Sequence, residues 1–129
     1  MISNEIRIVT SFPHAVEEYE NEWIELADGC RLAARIWRPT DPAPVPAILE
    51  YLPYRKRDGT APRDELTHPY FAGHGYACIR VDMRGNGDSD GLMHDEYARQ
   101  EQDDARCDRN PTTQSRPVRI LPCSLELPA

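Results

Sequence analysis

The chain has 129 residues and carries 22 acidic against 15 basic side chains, a formal net charge of −7 at pH 7. This charge repels phosphate backbones, and the sequence has no basic stripe with interleaved aromatic residues, so we expect no nucleic-acid partner. No apolar run reaches membrane-spanning length, and the N-terminus lacks the basic-then-apolar order of a signal peptide. These features predict a cytoplasmic protein without a membrane partner, and 40% hydrophobic residues suffice for one domain.

The first part of the chain is predicted to form antiparallel strands. Apolar residues alternate at Ile6 and Ile8, and again in the runs 23–26 and 32–36. This period of two is typical of half-buried strands. Asp28-Gly29 lies between the last two runs and predicts a hairpin turn.

The next elements are predicted to alternate between strand and helix. After a proline-rich loop, the mostly apolar run Ala47–Leu52 fits a strand covered on both faces, and residues 76–82 give another. Between them we expect a short helix that begins near Thr67, with Pro69 in its first turn and a glycine at position 73 or 75 as its left-handed stop. The order strand, helix, strand predicts parallel strands joined by a crossover helix.

A glycine-rich loop follows the second of these strands, at the carboxyl end of the strand, where α/β sheets place their ligand-binding residues. We expect this loop to have a structural role, with a salt bridge between Asp82 and Arg84. The loop residues to which we give this role are Asp82, Arg84, Gly85, Gly87, Ser89 and Gly91.

The composition changes after Ala105. Residues 106–129 hold four arginines, two acidic residues and four prolines, with no sustained helical or strand period. They predict a disordered tail, and their composition suggests a frameshift or a foreign junction near Ala105. An ordinary flexible tail is the alternative.

Three motifs follow one another along the chain: Leu52-Pro-Tyr-Arg-Lys56, His68-Pro-Tyr-Phe-Ala-Gly-His-Gly-Tyr-Ala77 and Val81-Asp-Met-Arg-Gly-Asn-Gly-Asp-Ser-Asp-Gly91. In this order they resemble the opening of the cocaine-esterase and X-Pro dipeptidyl-peptidase (CocE/NonD) group of α/β-hydrolases. The resemblance implies an incomplete α/β-hydrolase domain over residues 1–105, and hydrolysis of small-molecule esters or amides by a Ser-Asp-His triad without a cofactor. It gives Tyr54 the role of a phenol that donates to the oxyanion. In that family the nucleophile, acid and base come later than this sequence reaches, so we expect the chain alone to be inactive.

The stretch Gly87-Asp-Ser-Asp-Gly91 fits the nucleophile pattern G-x-S-x-G literally. A nucleophile elbow needs small residues after the serine and a backbone N–H that meets the oxyanion. Asp88 and Asp90 flank Ser89, and their charges would oppose a negative intermediate. We therefore predict that Ser89 is a turn residue and not the nucleophile.

The same loop suggests two alternative functions. Asn86, Asp88 and Asp90 alternate before Gly91 as in a calcium-binding loop, although the twelfth position is Tyr97 and not an acid. A small calcium-binding module is therefore one alternative, and a truncated product without function is another.

The remaining polar residues favour ordinary roles. Arg55, Lys56, Arg57 and Arg63 form one basic cluster, which we interpret as a solvated loop. His68 and His74 flank the predicted short helix, and we expect them to cap it or pack against it. His94 with Asp95 and Glu96 lacks the helical i, i+4 spacing of metal ligands, so we expect no metal site.

Overall fold

A computed structural model describes residues 6, 8–41, 43–95 and 99–105. Their six elements are, in chain order, β1 (Val16–Glu25), β2 (Arg31–Pro39), β3 (Ala47–Leu52), α1 (Ala61–Gly73), β4 (Ala77–Asp82) and α2 (Arg99–Ala105). The strands form one sheet in the order β1-β2-β4-β3. None of the helices in the described ranges is long and apolar enough to cross a lipid bilayer. The predicted tail, residues 106–129, lies outside the described residues.

The hairpin of β1 and β2 has the turn that the sequence predicted. The two strands pair antiparallel from Val16 opposite Pro39 to Glu25 opposite Arg31. Gly29 adopts a φ of 81°, a conformation that costs glycine little because it has no Cβ. The predicted turn is confirmed.

The parallel part of the sheet consists of β3 and β4, joined through α1. β4 pairs parallel with β3 on one side and antiparallel with β2 on the other, so it lies in the sheet interior. β3 pairs with β4 alone among the described strands and is therefore an edge. The predicted mixed α/β architecture, antiparallel strands followed by a parallel pair with a crossover helix, is confirmed.

Hydrophobic side chains are buried on both faces of the sheet because β2 alternates its residues between them. One face holds a larger cluster, formed by Leu26, Leu32, Ala34, Ile36, Ile79 and Val81. The other face packs against α1 through Trp37, Ala72 and Cys78. The two clusters fix the two central strands, from which the loops of the candidate site emerge.

The prediction of a strand at Ile6 and Ile8 is wrong. Both residues lie outside any strand, and their side chains are 94% and 83% exposed. The ladder between β1 and β2 already reaches Pro39, the last residue of β2, at Val16. Residues 6 and 8 therefore have no length of β2 left to pair with.

The predicted start of the helix near Thr67 is also wrong, because α1 begins at Ala61. Pro62 occupies the first turn, where a missing N–H is tolerated, while Pro69 lies inside the helix. The burial of Asp64 and His68 against the sheet shows that tertiary contacts hold both turns despite this interior proline. After the helix, Gly75 takes the left-handed conformation with a φ of 99°, as one of the two predicted stop positions.

Candidate functional site

Two loops leave the carboxyl ends of β3 and β4 side by side. The β3 loop comprises residues 53–60 and the β4 loop residues 83–92. Open α/β sheets bind their ligands outside this edge of their parallel strands. A shallow cavity of about 210 Å³ lies between the loops, lined by Arg55, Arg57, Asp58, Asp82, Gly87 and Asp88.

Asp82 links the two loops through its buried carboxylate. Its Oδ1 accepts the backbone N–H of Lys56 at 2.7 Å, and its Oδ2 accepts the backbone N–H of Asp88 at 2.9 Å. Gly87 is required beside it, because a Cβ at this position would lie 2.2 Å from Asp82 Oδ2. The last residue of β4 thus fixes the β3 loop and the β4 loop relative to each other.

The predicted salt bridge between Asp82 and Arg84 is wrong. The Asp82 carboxylate is occupied by the two backbone N–H groups, and Arg84 instead donates to both oxygens of Asp104 at 2.8 and 2.9 Å. Arg84 also pairs with Asp28 of the hairpin turn at 2.9 Å. Arg84 therefore connects the β4 loop to α2 and to the hairpin.

Ser89 has both sides of its hydroxyl engaged in the fold. Its Oγ donates to the carbonyl oxygen of Asp82 at 2.7 Å and accepts the backbone N–H of Ala33 at 2.8 Å. A nucleophilic serine gives its proton to a general base, whereas this proton goes to a backbone carbonyl. The contacts of Ser89 are those of a residue that ties the β4 loop to β2.

Gly85 and Gly91 shape the same loop. Both have positive φ angles, 73° and 89°, and a Cβ at Gly85 would lie 2.2 Å from the backbone nitrogen of Met93. Gly91 packs against the stem of Arg84, where a Cβ would lie 2.9 Å from its Cγ. The loop therefore folds back on itself at contact distances that only glycine permits.

The carboxylates of the β4 loop are paired with cations. Asp88 contacts the ammonium group of the fully buried Lys56, and it also pairs with Arg57 at 2.8 Å. The hydrogen bond from Lys56 keeps the pKa of Asp88 below its usual value, and the hydrogen bond from Arg31, at 2.8 Å, does the same for the pKa of Asp90. Both carboxylates are therefore ionised and already neutralised.

These contacts do not support the calcium-binding alternative. The Oδ1 of Asn86 accepts the backbone N–H of Gly87 at 2.9 Å, and its Nδ2 donates to the carbonyl of Pro53 at 2.7 Å. Asp88 and Asp90 face cations on different elements and do not converge on a common point. The twelfth position, residue 97, lies outside the described residues.

Lys56 differs most from its predicted environment. We interpreted residues 55–57 as a solvated loop, and Arg55 and Arg57 are indeed more than half exposed. The side chain of Lys56, in contrast, is 0% exposed. Its buried ammonium group pairs with Asp88 of the β4 loop. The β3 loop is therefore attached to the β4 loop through this side chain, and to Asp82 through the backbone N–H of Lys56.

Tyr54 lies at the beginning of the β3 loop, and 62% of its surface is exposed. The residue before it, Pro53, is bound through its carbonyl by Asn86. Two residues after it, the N–H of Lys56 is bound by Asp82. The backbone of Tyr54 is thus held on both sides by the β4 strand and its loop.

A second polar cluster lies under α1 and was not predicted from the sequence. Arg80 donates to both oxygens of Asp64 at 2.8 Å, and both side chains are fully buried. Glu50 also pairs with Arg80, and His68 packs on the Trp37 ring at 4.6 Å. An arginine in the middle of an apolar strand was the one available signal for this cluster.

The second cluster has the donor atoms of a metal site, but arginine side chains already neutralise its carboxylates. Atoms of Glu50, Asp64 and His68 lie within 4.8 Å of one another. Arg80 and Arg63 already pair with both carboxylates, so a divalent cation would face two guanidinium groups. Burial lowers the pKa of His68 against the opposing effect of the carboxylates, and the histidine stays neutral at pH 7. The cluster fixes α1 on the sheet.

A model of the X-Pro dipeptidyl-peptidase (S15) family matches residues 28–107, more than half of the chain. Two solved structures of a CocE/NonD family hydrolase from Staphylococcus aureus share the fold. One has a TM-score of 0.57 at 22% identity and covers 71% of this chain and 19% of that one. The other has a TM-score of 0.58 at 14% identity and covers 81% and 25%. The chain thus spans a quarter or less of that hydrolase, and no curated protein matches it.

Proposed function

Because the chain belongs to the X-Pro dipeptidyl-peptidase (S15) family, a family of hydrolases, we propose that it supplies the oxyanion side of a serine acyl hydrolase. The substrates would be small-molecule esters or amides, and Tyr54 would donate its phenol proton to the oxyanion. In this proposal Tyr54 is the one catalytic residue within the described part of the chain. The resemblance of the three motifs gave this role, and the position of Tyr54 supports it.

The observation that carries the proposal is the anchoring of Tyr54 at the carboxyl end of β3. Donors that are fixed before the reaction stabilise a developing oxyanion without reorganisation at the moment of reaction. Pro53 and Lys56 are both bound by groups of β4 and its loop, at 2.7 Å in each case. The side chain of Tyr54 is 62% exposed, so a substrate carbonyl could reach it, and the next residue, Arg55, lines the shallow cavity.

We further propose that these 129 residues do not complete a triad. The Ser89 proton is bound by a carbonyl, and His68 is 2% exposed beneath α1. Removing a triad member leaves only binding and oxyanion effects, which are several orders of magnitude weaker than the full machinery. The chain alone is therefore expected to be inactive.

The first test of this proposal is hydrolysis of a simple aryl ester by the purified chain. We expect the wild-type chain, Tyr54→Phe and Ser89→Ala to hydrolyse the ester at the same rate. This rate should equal the background rate measured in buffer that contains an inert protein. A rate loss specific to Ser89→Ala would overturn the proposal, because it would make Ser89 a nucleophile.

The second test supplies the missing machinery. Residues 28–105 replace the matching segment of the Staphylococcus aureus hydrolase, and the chimera is assayed with and without Tyr54→Phe. Loss of one oxyanion donor lowers kcat by about 10²- to 10³-fold. Tyr76→Phe is the matched control, since Tyr76 is also partly exposed but precedes β4. If Tyr54→Phe leaves the rate of an active chimera unchanged, the oxyanion role is refuted.

A further inference from the structure

Asn86 makes two hydrogen bonds of opposite sense. Its Oδ1 accepts the N–H of Gly87 within its own loop, and its Nδ2 donates to the carbonyl of Pro53 in the neighbouring loop. A carbonyl can only accept and an N–H can only donate, so the two partners fix which way the amide points. Aspartate keeps the first bond and loses the second, which allows the two bonds to be separated.

The bond to Pro53 acts directly beside Tyr54. Between this carbonyl and the N–H of Lys56, which Asp82 holds, the chain has only Tyr54 and Arg55. Two fixed points at this spacing leave the backbone of Tyr54 little freedom. Without the Asn86 bond, the nearest fixed point before Tyr54 is Leu52, the last residue of β3, so the Pro53–Tyr54 peptide and the phenol gain freedom to move.

We propose that Asn86 is a positioning residue that aims Tyr54 by binding the Pro53 carbonyl. This inference rests on the oxyanion role proposed for Tyr54. The calcium-loop pattern makes Asn86 a candidate cation ligand, and its donor bond across the two loops is a different use of the same side chain. The bond joins residues 33 positions apart, so it forms only when β3 and β4 lie side by side.

The test uses the full chain labelled with 3-fluorotyrosine, with Leu49→Lys as a common background so that the open β3 edge does not cause association. The ¹⁹F resonance of Tyr54 is assigned by its loss in Tyr54→Phe. We expect Asn86→Asp and the neutral Asn86→Ala both to shift or broaden this resonance. They should also speed hydrogen exchange of the Lys56 amide by about 2- to 12-fold, the worth of one ordinary hydrogen bond.

Asp90→Asn is the matched control, because it removes the ion pair with Arg31 on the far side of the same loop. It should leave the Tyr54 resonance unchanged. An unchanged resonance in both Asn86 variants, or an equal change in Asp90→Asn, would overturn the proposal.

A kinetic test distinguishes this inference from the proposed function. In the active chimera, Asn86→Asp should lower kcat with little change in KM, and it should have no further effect in a chimera that already carries Tyr54→Phe. Additive losses would contradict the positioning role. If Tyr54→Phe is without effect while Asn86→Asp still shifts the ¹⁹F resonance, the oxyanion role fails and the positioning contact stands.

Discussion

Asn in place of Asp82 should destabilise the fold through the loss of one acceptor. Two backbone N–H groups, from Lys56 and Asp88, meet the two oxygens of this buried carboxylate at 2.7 and 2.9 Å. An amide of the same shape offers one oxygen, so its NH₂ group must face one of the two donors. A hydrogen bond to a charged group contributes about 1.5–3 kcal/mol, and the N–H left without an acceptor belongs either to the buried Lys56 or to the partly buried backbone of Asp88. We expect Asp82→Asn to lower the free energy of unfolding by about that amount.

Urea unfolding of the full chain, followed by circular dichroism, measures this loss in a Leu49→Lys background, which is chosen to prevent association through the β3 edge. With an m-value of about 2 kcal/mol/M, a loss of about 2 kcal/mol lowers the midpoint by about 1 M. Asp90→Asn is the control, because Asp90 and its partner Arg31 are both about half exposed and such pairs contribute at most about 1 kcal/mol. If the two substitutions lower the midpoint equally, Asp82 does not hold the loops together and the reasoning on the site is refuted.

Three further predictions concern association, pH and the gene. Leu49→Lys, on the open edge of β3, should convert a concentration-dependent association into a monomer in sedimentation velocity; a monomeric, cooperatively melting wild type would contradict this. Because burial lowers the pKa of His68, the unfolded chain binds a proton below about pH 6.5 that the folded chain does not, so stability falls from there downwards. The thermal midpoint of His68→Phe should therefore decline less between about pH 7 and 5 than that of the wild type. If both midpoints decline equally, groups other than His68 cause the loss of stability. Beyond codon 105, another reading frame should encode an amphipathic helix, an apolar strand and a G-x-S-x-G with small neighbours; hydrolase-like sequence in no frame would exclude a frameshift.

The hairpin of β1 and β2 and the strand β3 could be predicted because their signals are local. The turn at Asp28-Gly29 and the apolar run Ala47–Leu52 each lie within a few residues of the elements that they define. The helix start was missed because Pro69 is a strong local signal that the packing of α1 overrides. Ile6 and Ile8 had the right period but lacked a partner strand, and a sequence pattern carries no information on where a ladder ends.

The contacts of the site could not be predicted because they join distant residues through backbone atoms. The N–H of Lys56 and the carbonyl of Pro53 have no signature in the sequence, yet they are the groups that Asp82 and Asn86 bind. The structural role of the glycines was easier to predict, because a loop whose backbone approaches neighbouring atoms closely needs residues without a Cβ. The residue types of the loop were therefore recognisable, whereas their partners required the fold.

The ion pairs also change the argument about charge at this edge of the sheet. From the sequence we expected Asp88 to oppose an oxyanion, but its charge is shared by Lys56 and Arg57. Lys56 is buried and therefore poorly screened by solvent, so its attraction to Asp88 is stronger than that of the exposed Arg57. The charge of Asp88 is thus compensated by these two cations, and a negative intermediate beside Tyr54 would not meet an unpaired Asp88 carboxylate. The reason against a nucleophilic Ser89 is consequently its bound hydroxyl proton, and not the charge of its neighbours.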